Sequence, residues 1–95
     1  MNDAYLIGHI TIKDPENWAE YKSRVPATLA LHGGEVVFRG TVDAVLAGSH
    51  PHTDTVVIRF PDCQSLHAWH DSAAYQALIA LRAEASDGTL IAYTT

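Results

Sequence analysis

The stretch YLIGHITIKDPENWAEY, residues 5–21, contains the step from strand to helix on which the fold depends. Its first half, residues 5–12, is rich in β-branched and aromatic side chains and predicts a strand. Asp14 can cap the free N–H groups of a following helix, and Pro15 suits the first helical position. An apolar stripe at helical spacing then predicts the buried helix face: Trp18, Tyr21, Val25 and Leu29.

The end of this helix carries two further signals. Pro26 interrupts the stripe, so we expect the helix to kink near Arg24 or to split into two pieces. His32 is followed by Gly33 and Gly34, and glycine readily adopts the left-handed turn that ends a helix.

The remaining patterns complete a β-α-β-β-α-β order. Further strands are expected at residues 35–41, 55–60 and 89–94. A short extended piece is expected at residues 44–46, and the second helical region should break at Asp71-Ser72. The order is typical of an α+β, ferredoxin-like fold, with a four-stranded antiparallel sheet and helices on one face. We expect one domain over residues 1–95, because two cores would each be too small to fold alone.

Composition narrows the class of function. The 95 residues carry six Lys plus Arg against eleven Asp plus Glu, a net charge of -5, whereas a nucleic-acid binder needs a basic stripe. Apolar runs are too short for a membrane span, and Asp3 with no basic segment argues against a secretory signal. The single Cys63 excludes an internal disulfide. We expect a cytoplasmic protein without nucleic-acid or membrane partners.

Alternation along the strands predicts two faces of the sheet. The helix-facing set is Leu6, Ile10, Ile12, Val36, Phe38, Val56, Ile58 and Phe60. The opposite set is Tyr5, Ile7, His9, Val37, Arg39, Val57 and Arg59, with Ile91 and Tyr93 depending on register. A sheet face open to water should be mostly polar, yet this one keeps Ile7, Val37 and Val57. A second copy of the same sheet is the simplest cover, so we expect a homodimer.

Several motifs together resemble the domain-of-unknown-function family numbered thirteen-thirty. They are Asp14-Pro15-Glu16, the HGG run at 32–34, Arg39-Gly40, the F-P-D turn at 60–62 and the W-x-x-S-x-x-Y-x-x-L-x-x-L-R run from Trp69 to Arg82. The resemblance covers nearly the whole chain and departs at His70 and Ala73, where the family often has Tyr and Pro. It implies the dimeric α+β-barrel superfamily, in which two ferredoxin-like sheets form a shared barrel and each subunit keeps a cleft. Relatives of that fold include cofactor-free monooxygenases, lactone isomerases and haem-binding enzymes.

The candidate site residues each have a functional and a structural interpretation. His32 could be a catalytic acid or base, or could bond the free carbonyls at the helix end. Arg39 and Arg82 could bind an anionic ligand, or could form structural ion pairs, for Arg39 with Glu35 or another carboxylate. The aromatic residues could form pocket walls and hydroxyl donors or simply fill the core: Trp69, Tyr75 and Tyr21, with Trp18.

No cofactor or metal is expected. The chain has no phosphate-cradling glycine loop and no dinucleotide motif. The pairs His50/His52 and His67/His70 lack a third dedicated ligand, and Cys63 is expected to be an inert thiol. Two functions stay open: a small-anion, carboxylate-like binding pocket with cofactor-free proton-transfer, isomerase or monooxygenase-type chemistry, or a non-catalytic dimeric module whose Arg/His/Tyr network is structural.

Overall fold

A computed structural model describes residues 2–95 and confirms the ferredoxin-like α+β fold. The elements are β1 (Ala4–Ile12), α1 (Pro15–Ala30), β2 (Glu35–Thr41), β3 (Asp54–Phe60), α2 (Cys63–Asp71), α3 (Ala73–Gln76), α4 (Ile79–Ala85) and β4 (Ser86–Thr94). The strands form one antiparallel sheet in the order β2-β3-β1-β4. None of the helices in residues 2–95 is long and apolar enough to cross a bilayer.

Helix α1 begins as the sequence predicts but does not split. The Asp14 carboxylate accepts hydrogen bonds from the N–H groups of Glu16 and Asn17, at 3.1 and 3.2 Å. The helix then continues through Pro26 to Ala30, so the prediction of two pieces is wrong. Pro26 is solvent-exposed, and water can therefore satisfy the carbonyl that loses its N–H partner.

The connection between β2 and β3, residues 42–53, contains no strand, so the expected extended piece at 44–46 is not an element of the sheet. The N–H of Val42 donates to the carbonyl of Thr53 at 2.7 Å and closes the base of the loop. Residues 44–46 lie beyond that bond, and they have no strand with which to pair.

A β-bulge in β2 reverses the face assignment of two side chains. Phe38 pairs with Val57 in the observed register. Arg39 pairs with Val56, which is buried against the helices. Because paired residues of antiparallel strands lie on the same face, Val37 is an extra residue. The prediction that Phe38 meets the helices and that Arg39 lies on the opposite face is therefore wrong.

The core fills the space between the helices and one face of the sheet. Its largest fully buried side chains are Trp69, Tyr75 and Phe60. The Trp69 Nε1 donates to Thr28 Oγ1 at 2.9 Å, which ties α2 to α1 without leaving a buried donor unsatisfied. This packing holds α1 and the α2–α4 segment in one layer over the sheet.

The sheet face away from the helices, called here the open face, has an apolar row among polar side chains. The strand register places on it the apolar and aromatic residues Tyr5, Ile7, Phe38, Val57, Ile91 and Tyr93 and the polar residues His9, Thr11, Glu35, Thr55, Arg59 and Thr89. Phe38 is 54% exposed and Tyr93 is 44% exposed. Glu35 forms an ion pair with Arg59 on this face, so the pair of Glu35 with Arg39, one of the alternatives left open by the sequence, does not form. Arg39 lies on the other side of the sheet, because the bulge turns it there.

Candidate anion-binding site

A cavity of about 480 Å³, the main cavity, lies between α1, α4 and the helix-facing side of the sheet. All the ligand-binding residues predicted from the sequence line it: Tyr21, Arg39, Trp69, Tyr75 and Arg82. They come from five elements, one each from α1, β2, α2, α3 and α4, and only the tertiary fold brings them together. Apolar side chains complete the lining, among them Val25 and Ile58.

Two tyrosine hydroxyls and a guanidinium form a hydrogen-bonded chain in the wall. The Arg82 Nη1 donates to Tyr75 Oη at 2.7 Å, and the hydroxyls of Tyr75 and Tyr21 are 2.8 Å apart. Arg82 can only donate, so both phenolic hydrogens need acceptors. One of the two hydroxyls donates its hydrogen to the other. The hydrogen of the second hydroxyl has no acceptor within residues 2–95. The cavity wall thus presents a free hydrogen-bond donor.

The cations of this chain divide into a paired and an unpaired set. Six Lys and Arg residues are present in all. Three form ion pairs: Lys13 with Asp87, a carboxylate that lines the main cavity, Arg24 with Glu20 and Arg59 with Glu35. The other three, Lys22, Arg39 and Arg82, form no ion pair in the described part of the chain, and all of them line cavities.

Burial shifts the pKa of two residues that line the main cavity, Tyr21 and Arg39. The pKa of Tyr21 is raised far above its ordinary value, first by desolvation and then by the neighbouring Tyr75, while Arg82 opposes the shift. The pKa of Arg39 is lowered by desolvation, although its guanidinium stays charged at neutral pH. Tyr21 is therefore a neutral hydrogen-bond donor, and Arg39 is a partly desolvated cation without a partner, which favours an anion beside it.

Two cavity residues were missed by the sequence reasoning. His70 lines the main cavity, its ring centroid 5.6 Å from that of Tyr75 and its Nδ1 3.5 Å from Asp71 Oδ1. The sequence marks it as a departure from the family pattern and as half of the rejected His67/His70 pair, although its place next to Trp69 was a usable signal for the cavity. Lys22 lines a second, adjacent cavity and carried no signal, since an exposed lysine on a helix is ordinary.

Other predicted or considered residues lie elsewhere. His32 follows the end of α1, where its N–H donates to the Leu29 carbonyl at 3.0 Å, and it lines neither cavity. The rings of His9, His50 and His52 form contacts at 5.0 and 5.8 Å between centroids, near the open face. No group of three or more His, Cys, Asp or Glu side chains suited to a metal ion occurs from residue 2 to residue 95.

The family comparison agrees with this architecture. Residues 3–94 match the model of the domain of unknown function DUF1330, and the chain belongs to that family. A comparison with curated proteins finds no match.

Solved structures with the same fold have low sequence identity to this chain. A protein of unknown function from Rhodopseudomonas palustris matches with a TM-score of 0.78 and 17% identity, over 97% of this chain and 81% of that one. SnoaB from Streptomyces nogalater, described as a cofactor-independent oxygenase, matches with a TM-score of 0.70 and 12% identity, over 100% and 94%. A dimeric ferredoxin-like protein of unknown function from Thermobifida fusca matches with a TM-score of 0.69 and 15% identity, over 99% and 92%.

The buried Tyr21 hydroxyl predicts a specific loss of stability in alkali. Because the folded protein keeps this proton above the ordinary tyrosine pKa of 10.0, unfolding releases it, and the free energy of unfolding falls as the pH rises above that value. Tyr21→Phe should remove this contribution, worth up to about 1.4 kcal/mol per pH unit. Urea denaturation of both proteins across a series of alkaline pH values measures the two slopes.

Tyr93→Phe is the matched control, since Tyr93 is 44% exposed and lies on the other face of the sheet. It should keep the wild-type slope. Equal slopes for wild type and Tyr21→Phe would contradict the assignment of Tyr21 as the resistant group.

Proposed function

We propose that the protein binds a small, partly apolar anion, of carboxylate type, in the main cavity. The observation that carries the proposal is the placement of the unpaired cations. In a chain with a net charge of -5, Arg39 and Arg82 both line this cavity without a carboxylate partner in residues 2–95. Arg39 is an exposed residue that is partly desolvated at its guanidinium, and an anion beside it would compensate that charge.

The other walls support the same ligand chemistry. The free phenolic hydrogen of the Tyr21–Tyr75 pair can donate to an oxygen of the ligand. A guanidinium matches the two oxygens of a carboxylate. Trp18 and Ile58 offer apolar surface beside these donors. The cavity volume of about 480 Å³ falls in the range of small-molecule sites.

Substitution of Arg39 tests the site directly. We expect Arg39→Gln to weaken the binding of a carboxylate by at least about tenfold, because a charge-assisted hydrogen bond is lost. The free energy of unfolding should change by less than about 0.5 kcal/mol, since no ion pair within the protein is broken. A thermal-shift titration of wild type and variant against aromatic and aliphatic carboxylates and lactones measures both quantities.

Arg59→Gln is the matched control: it removes the same charge from the open face and should leave ligand binding unchanged. The opposing interpretation is a non-catalytic module in which the arginine and tyrosine network is structural. It predicts that Arg39→Gln lowers stability by several kcal/mol and that no ligand shifts the melting temperature. That combination would overturn the anion site.

A second candidate function, cofactor-independent proton transfer on the bound anion, is favoured by His70. This imidazole lines the same cavity as the Tyr21 hydroxyl. In such a reaction His70 would take the proton from a carbon next to a carbonyl, and the electron pair would move onto the carbonyl oxygen, which Tyr21 could hydrogen-bond. SnoaB, which has the same fold, is described as a cofactor-independent oxygenase, and this supports chemistry without a cofactor.

Exchange of solvent deuterium into a keto acid such as levulinate, followed by NMR, tests this candidate. We expect His70→Gln to slow exchange by about a hundredfold or more, as loss of a general base does, while binding changes little. His67→Gln, on the same helix but outside the cavity lining, should exchange at the wild-type rate. Equal rates in the two variants would contradict the role of His70 and leave the site a binding site.

We also propose that the protein forms a homodimer through the open face. One apolar row crosses all four strands on this face, formed by Phe38, Val57, Ile7 and Ile91. An apolar row with a half-exposed aromatic ring is unusual on a free sheet face. A second copy fits it because two-fold pairing brings each row against its equal. The similar structure from Thermobifida fusca is described as dimeric.

Phe38→Asp should convert the dimer to a monomer at micromolar concentration, because the two-fold axis would bury two uncompensated carboxylates. Size-exclusion chromatography with light scattering measures the mass. Leu31→Asp is the control, since Leu31 is 82% exposed at the end of α1, away from the open face. A monomeric wild type, or a Phe38→Asp protein that remains dimeric, would contradict this interface.

A further inference from the structure

The second cavity, called here the side cavity, has a volume of about 290 Å³ and borders the main cavity. The two share four lining residues, among them Arg39 and Trp18. Lys22, one position beyond Tyr21 on α1, also lines the side cavity. Arg39 therefore borders both spaces, and each space has one further cation in its lining, Arg82 in the main cavity and Lys22 in the side cavity.

The charge inside the side cavity is positive. Asp54 is its carboxylate, but both of its oxygens already accept hydrogen bonds, Oδ1 from the Thr41 hydroxyl at 2.9 Å and Oδ2 from the Thr53 hydroxyl at 3.0 Å. Neither Lys22 nor Arg39 forms an ion pair with it. Two cations, Lys22 and Arg39, thus line the side cavity with one carboxylate, Asp54, whose oxygens already accept hydrogen bonds.

A single carboxylate in the main cavity would leave the side cavity with two cations, Lys22 and Arg39, against the one carboxylate of Asp54. The three unpaired cations run from Arg82 in the main cavity through Arg39 to Lys22 in the side cavity. A ligand with an acidic group at each end would compensate both regions, and Arg39 could contact either group.

We propose, on the basis of the anion site proposed above, that the ligand is a dicarboxylate. One carboxylate lies in the main cavity with the Tyr21 hydroxyl and Arg82, and the other lies in the side cavity with Lys22. Arg39 stands between them. Trp18, which lines both cavities, contacts the apolar chain that joins the two groups. Lys22 is then the residue that distinguishes a dicarboxylate from a monocarboxylate.

Adipate and its monoamide, adipamate, are suitable probes because they match in length and differ only in the charge at one end. Isothermal titration calorimetry at neutral pH and low salt measures their dissociation constants. We expect adipate to bind about fivefold more tightly, the size of effect that one partly exposed ion pair gives. Lys22→Gln should abolish this preference by weakening adipate alone, and Lys22→Arg should restore it.

Arg24→Gln is the matched control, because it removes one positive charge from the same helix at an exposed position outside both cavities. It should keep the preference for adipate, which separates local recognition from net charge.

The outcomes separate the two proposals. If neither probe binds and no other carboxylate shifts the melting temperature, the anion site itself is wrong. If both probes bind equally and Lys22→Gln changes neither, the anion site stands and the dicarboxylate is excluded. Loss of the adipate preference in Arg24→Gln as well would also overturn the role of Lys22.

Discussion

The extra residue in β2 is the constraint on which both faces of this molecule depend. Alternation along a strand is strict, so one inserted residue moves every later side chain to the other side of the sheet. Val37 is the inserted residue, so Phe38 and Arg39 lie on the faces opposite to those that strict alternation predicts. Phe38 is left on the open face, and Arg39 turns toward the helices. Without the bulge the main cavity would lose the guanidinium of Arg39 and keep only that of Arg82, and the open face would gain a charge.

The bulge also places the two proposed contacts of the protein side by side. Phe38, in the proposed dimer interface, and Arg39, in the proposed anion site, are neighbours on an edge strand that pairs only with β3. Edge strands have fewer contacts than central ones. A second subunit packed on Phe38 would therefore hold β2 in place and, with it, the cation that faces the ligand.

The cations of this chain fall into two groups: those that form ion pairs and those that line the cavities. Acidic residues outnumber basic ones, and the surface cations Lys13, Arg24 and Arg59 form ion pairs. The cavities hold the cations that have no such partner. Exposed pairs contribute little to stability, whereas unpaired cations in a cavity are the basis of the anion site proposed above. The Tyr21–Tyr75 hydroxyls add a neutral donor that burial keeps protonated.

The sequence by itself determined the element order, the start of α1 at Asp14, the apolar residues Ile7 and Val57 on the open face, and the aromatic and arginine residues that line the main cavity. These depend on local signals: period-two and helical spacing, a capping carboxylate, and glycine after a helix. Only the tertiary structure decided which face of the sheet carries Arg39. It also decided that His70 lines the main cavity, that Lys22 lines the side cavity and that His32 lines neither. A bulge depends on the strand that pairs with it, and a cavity wall depends on how the helices pack. The spacing of residues along the sequence therefore predicts neither of them.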